Sequence, residues 1–410
     1  MAALRRINQD DLRNHNLSVV IDTMLRATEP MSRAELAKTT GLTKATMSLL
    51  VPMLVDAGVI REGAPSAMSN FGRPSTPLAI AGGRFCGIGM QINTDGYGYV
   101  MSDLDGTVVD GQWVGQPMEG ADPGHVFAAL DEIVAHGEAE AERREYHVVG
   151  AGLALPGLVT DDMRLLVARN LGWERLDLGS FEVVRRLGAA AGNEANMAAL
   201  AQIPGYATRR RAGDGLGPSD SFLYISTDIG IGGAFVRDGR VVSGDHGFAG
   251  ELGHVSVAID GPLCHCGRRG CLEMYAGRRA LVESAGIAVG ADAARIEAVD
   301  ELLERWRSGE RRAVEVIERA VGAIASAVAS AINILDVDTV VLGGIWQRFG
   351  DGLAERLESA IRPQVLGYPE LKPIVRMPAV NERPALHGAA CVGLRRFIDD
   401  PLEYVATRTA

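Results

Sequence analysis

The 410-residue sequence has no run approaching about 18 uninterrupted apolar residues, the length a helix needs to cross a bilayer. Its first residues, Met1-Ala2-Ala3-Leu4-Arg5-Arg6, lead into the polar Ile7-Asn8-Gln9-Asp10 and not into the apolar stretch of a secretion signal. A secreted or membrane-spanning chain is therefore not expected, and a cytoplasmic one is. Cysteine is scarce, with five residues. Cys86 and Cys391 stand alone while Cys264, Cys266 and Cys271 fall close together, which fits a metal cluster in a reducing compartment better than a disulfide framework. Aromatics are few at 5%, yet 47% hydrophobic and 23% charged residues exclude a disordered chain or a fibre. The length exceeds what one hydrophobic core usually supports, so at least two domains are expected.

The net charge of −11 is unevenly spread. Residues 1–80 hold nine basic against seven acidic side chains, so an acidic body carries a mildly basic head. In that head, apolar positions 17, 20/21 and 24/25 have helical spacing, and the helix over 17–28 stops at Pro30. Ser32-Arg33-Ala34-Glu35 forms a capping box for a second helix over 33–39. Thr40-Gly41-Leu42 makes a tight turn, and Thr43 caps a third helix over 44–57 with Met47, Leu50, Val51 and Leu54 inward. Pro52 predicts a kink in that helix or an earlier end.

This pattern is a helix-turn-helix. Lys44, Ala45, Thr46 and Ser48 occupy the end of the third helix that meets base edges in a major groove, with Arg33 and Thr43 beside them. A strand at Val59–Glu62, a polar tip from Gly63 to Gly72 and a return at Thr76–Ile80 make a wing, whose Arg73 can enter a narrow minor groove. The same spacing also fits a three-helix bundle that binds nothing.

The body holds a more specific pattern. His254 is followed after nine residues by Cys264-His265-Cys266-Gly267-Arg268-Arg269-Gly270-Cys271. One imidazole and three thiolates are the donor set of a closed, tetrahedral, structural Zn(II) site with no open position for water; His265 is an alternative to His254. Glu251 and Glu273 flank this loop and can face a common cavity suited to sugar hydroxyls, or can simply be solvated. Asn193-Glu194 sits at a strand-to-helix junction, where the amide is either a ligand or a helix cap. Glycine-rich turns at Thr227–Gly233 and Val340–Gly344 follow apolar strands that alternate with helices, which implies an α/β fold with binding groups at strand ends.

Taken together, His254-x9-Cys264-x-Cys266-Gly267-x2-Gly270-Cys271-x-Glu273, Gly250-Glu251-Leu252-Gly253, Leu155-Pro156-Gly157, Asn170-Leu171-Gly172-Trp173, Leu342-Gly343-Gly344 and Leu386-His387-Gly388-Ala389-Ala390 resemble the ROK family of sugar repressors, open reading frames and sugar kinases. The head resembles the winged helix of its xylose-type and N-acetylglucosamine-type repressors. The resemblance implies an N-terminal winged helix-turn-helix over 1–81, followed by a two-lobed, actin-like ATPase fold. Its first lobe would span 82–200 with 385–410, and its second lobe, with the zinc loop, 201–384. It also implies a sugar in the interlobe cleft, held by Asn193, Glu194, Glu251, His254 and Glu273. His254 would serve twice, one ring nitrogen on zinc and the other toward the sugar.

Two departures separate this chain from the family's kinases. Their first phosphate loop, D-x-G-G-T, would follow the strand Phe85–Met90, where Gln91-Ile92-Asn93-Thr94-Asp95-Gly96 stands instead. Their catalytic aspartate is replaced by the longer Glu194, and general-base catalysis tolerates little displacement. The resulting expectation is a non-enzymatic, homodimeric repressor, or a tetramer, that binds a pseudo-palindromic operator and responds to a small sugar. An ATP-dependent sugar kinase with an appended head is the alternative, and an activator or a repressor answering to a partner protein is a third.

Overall fold

The computed structural model describes residues 8–27, 29–64, 76–205 and 215–405. Each head helix begins on the cap its sequence encodes. Asn8 and Asp11 exchange backbone and side-chain hydrogen bonds to start Gln9–Arg26, eight residues ahead of the apolar stripe that marks it in the sequence. Ser32 and Glu35 do the same for Arg33–Thr40, which ends on Gly41 at φ 73°. Thr43 caps Lys44–Asp56. This helix runs through Pro52 to Asp56, so the earlier end expected at the proline is not observed. Three short antiparallel strands close the unit in the order Met31–Ser32, Pro77–Ile80, Ile60–Glu62. Three helices and a three-stranded sheet in this order are consistent with a DNA-binding head; of the expected wing tip, residues 65–72, and Arg73 after it, lie outside the described residues.

The body contains two five-stranded sheets. The first runs Ala190–Asn193, His147–Leu155, Phe85–Asn93, Gly96–Asp103, Val108–Gly115, parallel across its first three strands and antiparallel across the rest. Helix Pro123–Arg143 covers one face and helix Pro384–Asp399 the other. The close seat of the second helix requires glycine on the strands beneath it. A Cβ at Gly89 would overlap the Leu386 carbonyl oxygen, and one at Gly152 that of Ala389.

The second sheet runs Arg240–Val241, Ile231–Arg237, Phe222–Thr227, Thr339–Gly344, Ile374–Arg376. Its central strands are largely apolar and alternate between two cores. Leu223, Ile225, Val340 and Leu342 face a core built on helices Arg278–Ala285, Ile296–Arg307, Arg311–Leu335 and Asp351–Ile361. Phe222, Tyr224 and Val341 face the opposite way, toward helices Glu194–Gln202 and Pro384–Asp399. Helix Arg311–Leu335 is long and apolar enough to span a bilayer by length and composition, but most of it is buried in the first of these cores.

Candidate functional site

The metal-binding pattern folds onto itself through a short antiparallel ladder. Leu272 donates its backbone N–H to Val255 (2.9 Å) and Val257 to Gly270 (2.8 Å), which sets Cys271 beside His254. A tight turn, with Cys264 N–H on the Arg268 carbonyl (2.8 Å), brings Cys264 and Cys266 to the same point. Gly270 is obligatory here, at φ 67° and with no room for a Cβ against the Ala258 carbonyl. The four donor atoms of His254, Cys264, Cys266 and Cys271 all lie within 4.8 Å of one another.

Cys264 Sγ is 3.7 Å from His254 Nδ1, and Cys266 Sγ is 3.6 Å from Cys271 Sγ. A tetrahedron with bonds of about 2.3 Å to sulfur and about 2.0–2.1 Å to nitrogen has edges of about 3.6–3.8 Å, so the geometry suits one four-coordinate ion. Burial, then the neighbouring sulfurs, pushes the Cys271 thiol up to about 12, and a central cation is what would draw off such a proton. His265 is exposed and is not part of the group, so the alternative ligand is set aside in favour of His254.

The carboxylates flanking this loop lie against it. Glu251 Oε2 is 4.0 Å from His254 Nε2, the ring nitrogen opposite the one that faces sulfur. Glu273 Oε1 is 4.0 Å from Cys264 Sγ, and its other oxygen lies over Gly230, where a Cβ would overlap it. The glycine-rich turn after Phe222–Thr227 thus lets a carboxylate approach the backbone closely. Burial, and secondarily Glu273, raises the Glu251 carboxyl above its usual range.

Asn193 ends a strand of the first sheet and caps helix Glu194–Gln202. Its Oδ1 accepts from the N–H groups of Ala195 (2.8 Å) and Asn196 (3.3 Å), while Nδ2 donates to the Gly157 carbonyl (2.9 Å). The cap reading is therefore realised, and only part of the amide is left to meet a ligand. Glu194, the next residue, accepts from Gln91 Nε2 at 3.2 Å. Burial first, and Asp228 second, pushes its carboxyl up to about 8, so it is largely protonated at neutral pH. Asp228 belongs to the same turn as Gly230, so this turn stands between Asn193-Glu194 on one side and Glu251, His254 and Glu273 on the other.

Sequence reasoning missed the rest of the cluster. Arg278 has no exposed side-chain surface; its Nη2 donates to Asp95 at 2.8 Å and its backbone N–H to the Asp228 carbonyl at 3.0 Å. Gln91, a buried amide on a mostly apolar strand, was the legible signal. Arg278 gave none, because an arginine opening a helix is ordinary.

On the head, Thr43, Lys44, Ala45 and Ser48 are exposed, and Thr46 is half-buried. Some of their hydrogen-bonding capacity is already engaged. The Thr43 hydroxyl accepts from the Thr46 N–H (3.1 Å), and the Ser48 hydroxyl donates to the Lys44 carbonyl (3.0 Å). Arg33 pairs with Glu62 of the wing at 2.7 Å. Lys44 is the exposed cation at the start of this helix.

A family model described as the ROK family matches residues 99–395. The xylose repressor of Bacillus subtilis (strain 168) is 28% identical over 278 residues, covering 68% of this chain and 69% of its own. A solved ROK family transcriptional regulator, a homologue of the E. coli MLC protein, superposes with a TM-score of 0.74 at 24% identity, covering 96% of this chain and 99% of its own. That span takes in the head as well as the body. The ROK hexokinase of Thermus thermophilus aligns with a TM-score of 0.60 at 28% identity, over 75% of this chain and 97% of its own. With a matching model across most of its length and a two-lobed, actin-like body, the chain belongs to the ROK family.

Proposed function

We propose that this protein is a sugar-responsive transcriptional repressor of carbohydrate-metabolism genes, cytoplasmic and active as a homodimer on a pseudo-palindromic operator. The observation that carries this reading is the joining, in one chain, of an exposed helix-turn-helix to a cleft lined with carboxylates and amides. The similarity to named xylose repressors supports it. Lys44, Ala45, Thr46 and Ser48, with Arg33, Thr43 and Arg73, face DNA; Asn193, Glu194, Glu251, His254 and Glu273 face the sugar. The ion held by His254, Cys264, Cys266 and Cys271 is one structural Zn(II) per chain, which fixes the shape of the loop that carries three of the sugar residues.

Glu194 favours binding over catalysis. It is one methylene longer than the catalytic aspartate of the family's kinases, and general-base catalysis tolerates little displacement of the base. A neutral carboxyl still donates and accepts hydrogen bonds with a sugar hydroxyl. The direct test is fluorescence anisotropy on DNA from the protein's own upstream region, titrated with aldoses and amino sugars at fixed salt, with ATP turnover assayed in parallel. Saturable binding released by one sugar, without ATP hydrolysis, is the expected result. Sugar-dependent ATP turnover without DNA binding would replace it with the kinase reading.

A further inference from the structure

The core of the head is continuous with that of the body. Leu17, Val20, Ile21, Met24 and Leu25 belong to the same buried cluster as Phe397 and Ile398 of the C-terminal helix, Phe85 of the first sheet, and Phe222 and Tyr224 of the second. Helix Gln9–Arg26 makes this junction. Near its start, Asn14 Nδ2 donates to the Asp399 carbonyl (3.3 Å), and Asn14 Oδ1 accepts from the Leu402 N–H (2.9 Å).

Just over two turns further on, Asp22 divides its two oxygens. Oδ1 accepts from Arg395 Nη1 at 2.9 Å, and Oδ2 from Arg26 Nε at 2.9 Å. Arg26 Nη1 in turn donates to the Pro218 carbonyl at 2.8 Å. Arg395 belongs to the helix packed on the first sheet, whereas Pro218 leads into Phe222–Thr227, the central strand of the second. One carboxylate, 27% exposed, therefore binds the first lobe directly and orients the head's own Arg26 toward the second.

We propose that Asp22 is the positioning residue through which a rearrangement of the lobes reaches the DNA-binding head. The inference rests on the effector-switched reading given above. Asp22 holds the first-lobe anchor directly and the second through Arg26, whose Nε it fixes while Nη1 holds the Pro218 carbonyl, so the lobes cannot move apart without breaking one of these bonds or turning the helix. That helix leads within a few residues into Arg33–Thr40, and its rotation re-aims the recognition helix behind it. Asparagine keeps one acceptor oxygen and loses the second, along with the charge. Glutamate keeps both.

The test uses the full-length protein and its Asp22→Asn and Asp22→Glu variants, measuring operator affinity with and without saturating sugar, sugar affinity by calorimetry, and thermal melting. In the wild type, sugar is expected to move the operator midpoint by about tenfold or more; in Asp22→Asn the shift falls below about twofold while sugar affinity is retained, and Asp22→Glu restores it. A wild-type shift in Asp22→Asn overturns the proposal. Should Asp22→Asn fail to fold, Arg395→Gln at the more exposed partner carries the same expectation and the same refutation. Should the wild type ignore every sugar, the functional reading fails and hydrogen exchange decides the coupling. Faster exchange in Asp22→Asn along both Gln9–Arg26 and Pro384–Asp399 retains it, and unchanged exchange overturns it.

Discussion

Arg278 and Asp95 meet at 2.8 Å although they belong to opposite halves of the body. Asp95 sits at the tip of the hairpin joining Phe85–Asn93 to Gly96–Asp103, and Arg278 is the first residue of a helix in the core of the second sheet. The adjacent Arg279 reaches Glu119 of the first half at 3.3 Å. Two consecutive arginines thus tie the two halves together on one side of the cleft.

Breaking this tie from its exposed side tests its contribution. Asp95→Asn leaves a fully buried guanidinium with Asp228 as its remaining nearby carboxylate. Loss of a buried partner usually costs several kcal/mol, but Asp95 is 44% exposed, and the expected loss is about 1–2 kcal/mol in urea unfolding. An unchanged midpoint would mean that Asp228 alone satisfies Arg278.

Glu194 gives a pH signature. Its carboxyl is raised in the folded state, so its neutral form is favourable at acid pH, and stability is lost as pH rises from the ordinary carboxylate range through about 8. Glu194→Gln removes that titration. The variant should melt within about a degree of wild type at pH 5 and several degrees above it at pH 8.5, as followed by circular dichroism. Parallel melting curves at both pH values would place Glu194 in water.

The metal centre predicts a shared loss. Cys266→Ser should bind less than one equivalent of zinc by elemental analysis, melt lower than wild type and lose sugar binding, because Glu251, His254 and Glu273 depend on the same loop. A chelator should reproduce the effect on wild type, and added zinc should reverse it. Full sugar affinity in the metal-free protein would separate the two sites.

For DNA, Lys44 is the cleanest probe because its ammonium is exposed at the start of the recognition helix. If it neutralises one phosphate, Lys44→Ala should weaken operator binding and reduce the slope of log K against log salt by about 0.9. Arg33→Ala should have a smaller effect, since Arg33 is already paired with Glu62.

The sequence by itself determined the features whose physics is local. Ser32 and Glu35 encode a helix start within four residues, Thr43 encodes the next, and the spacing of His254, Cys264, Cys266 and Cys271 encodes a donor set that a short ladder can close. The start of helix Gln9–Arg26 was misplaced because its first two turns are polar, and only the Asn8–Asp11 box marks them. Tertiary structure alone decided which charges meet. Arg278 finds Asp95 across 183 positions, Asp22 finds Arg395 across 373, and Gln91 finds Glu194 across 103. Such pairs depend on sheet register and helix placement, which are set by the summed burial of many apolar side chains and leave no local trace at the charged residues themselves.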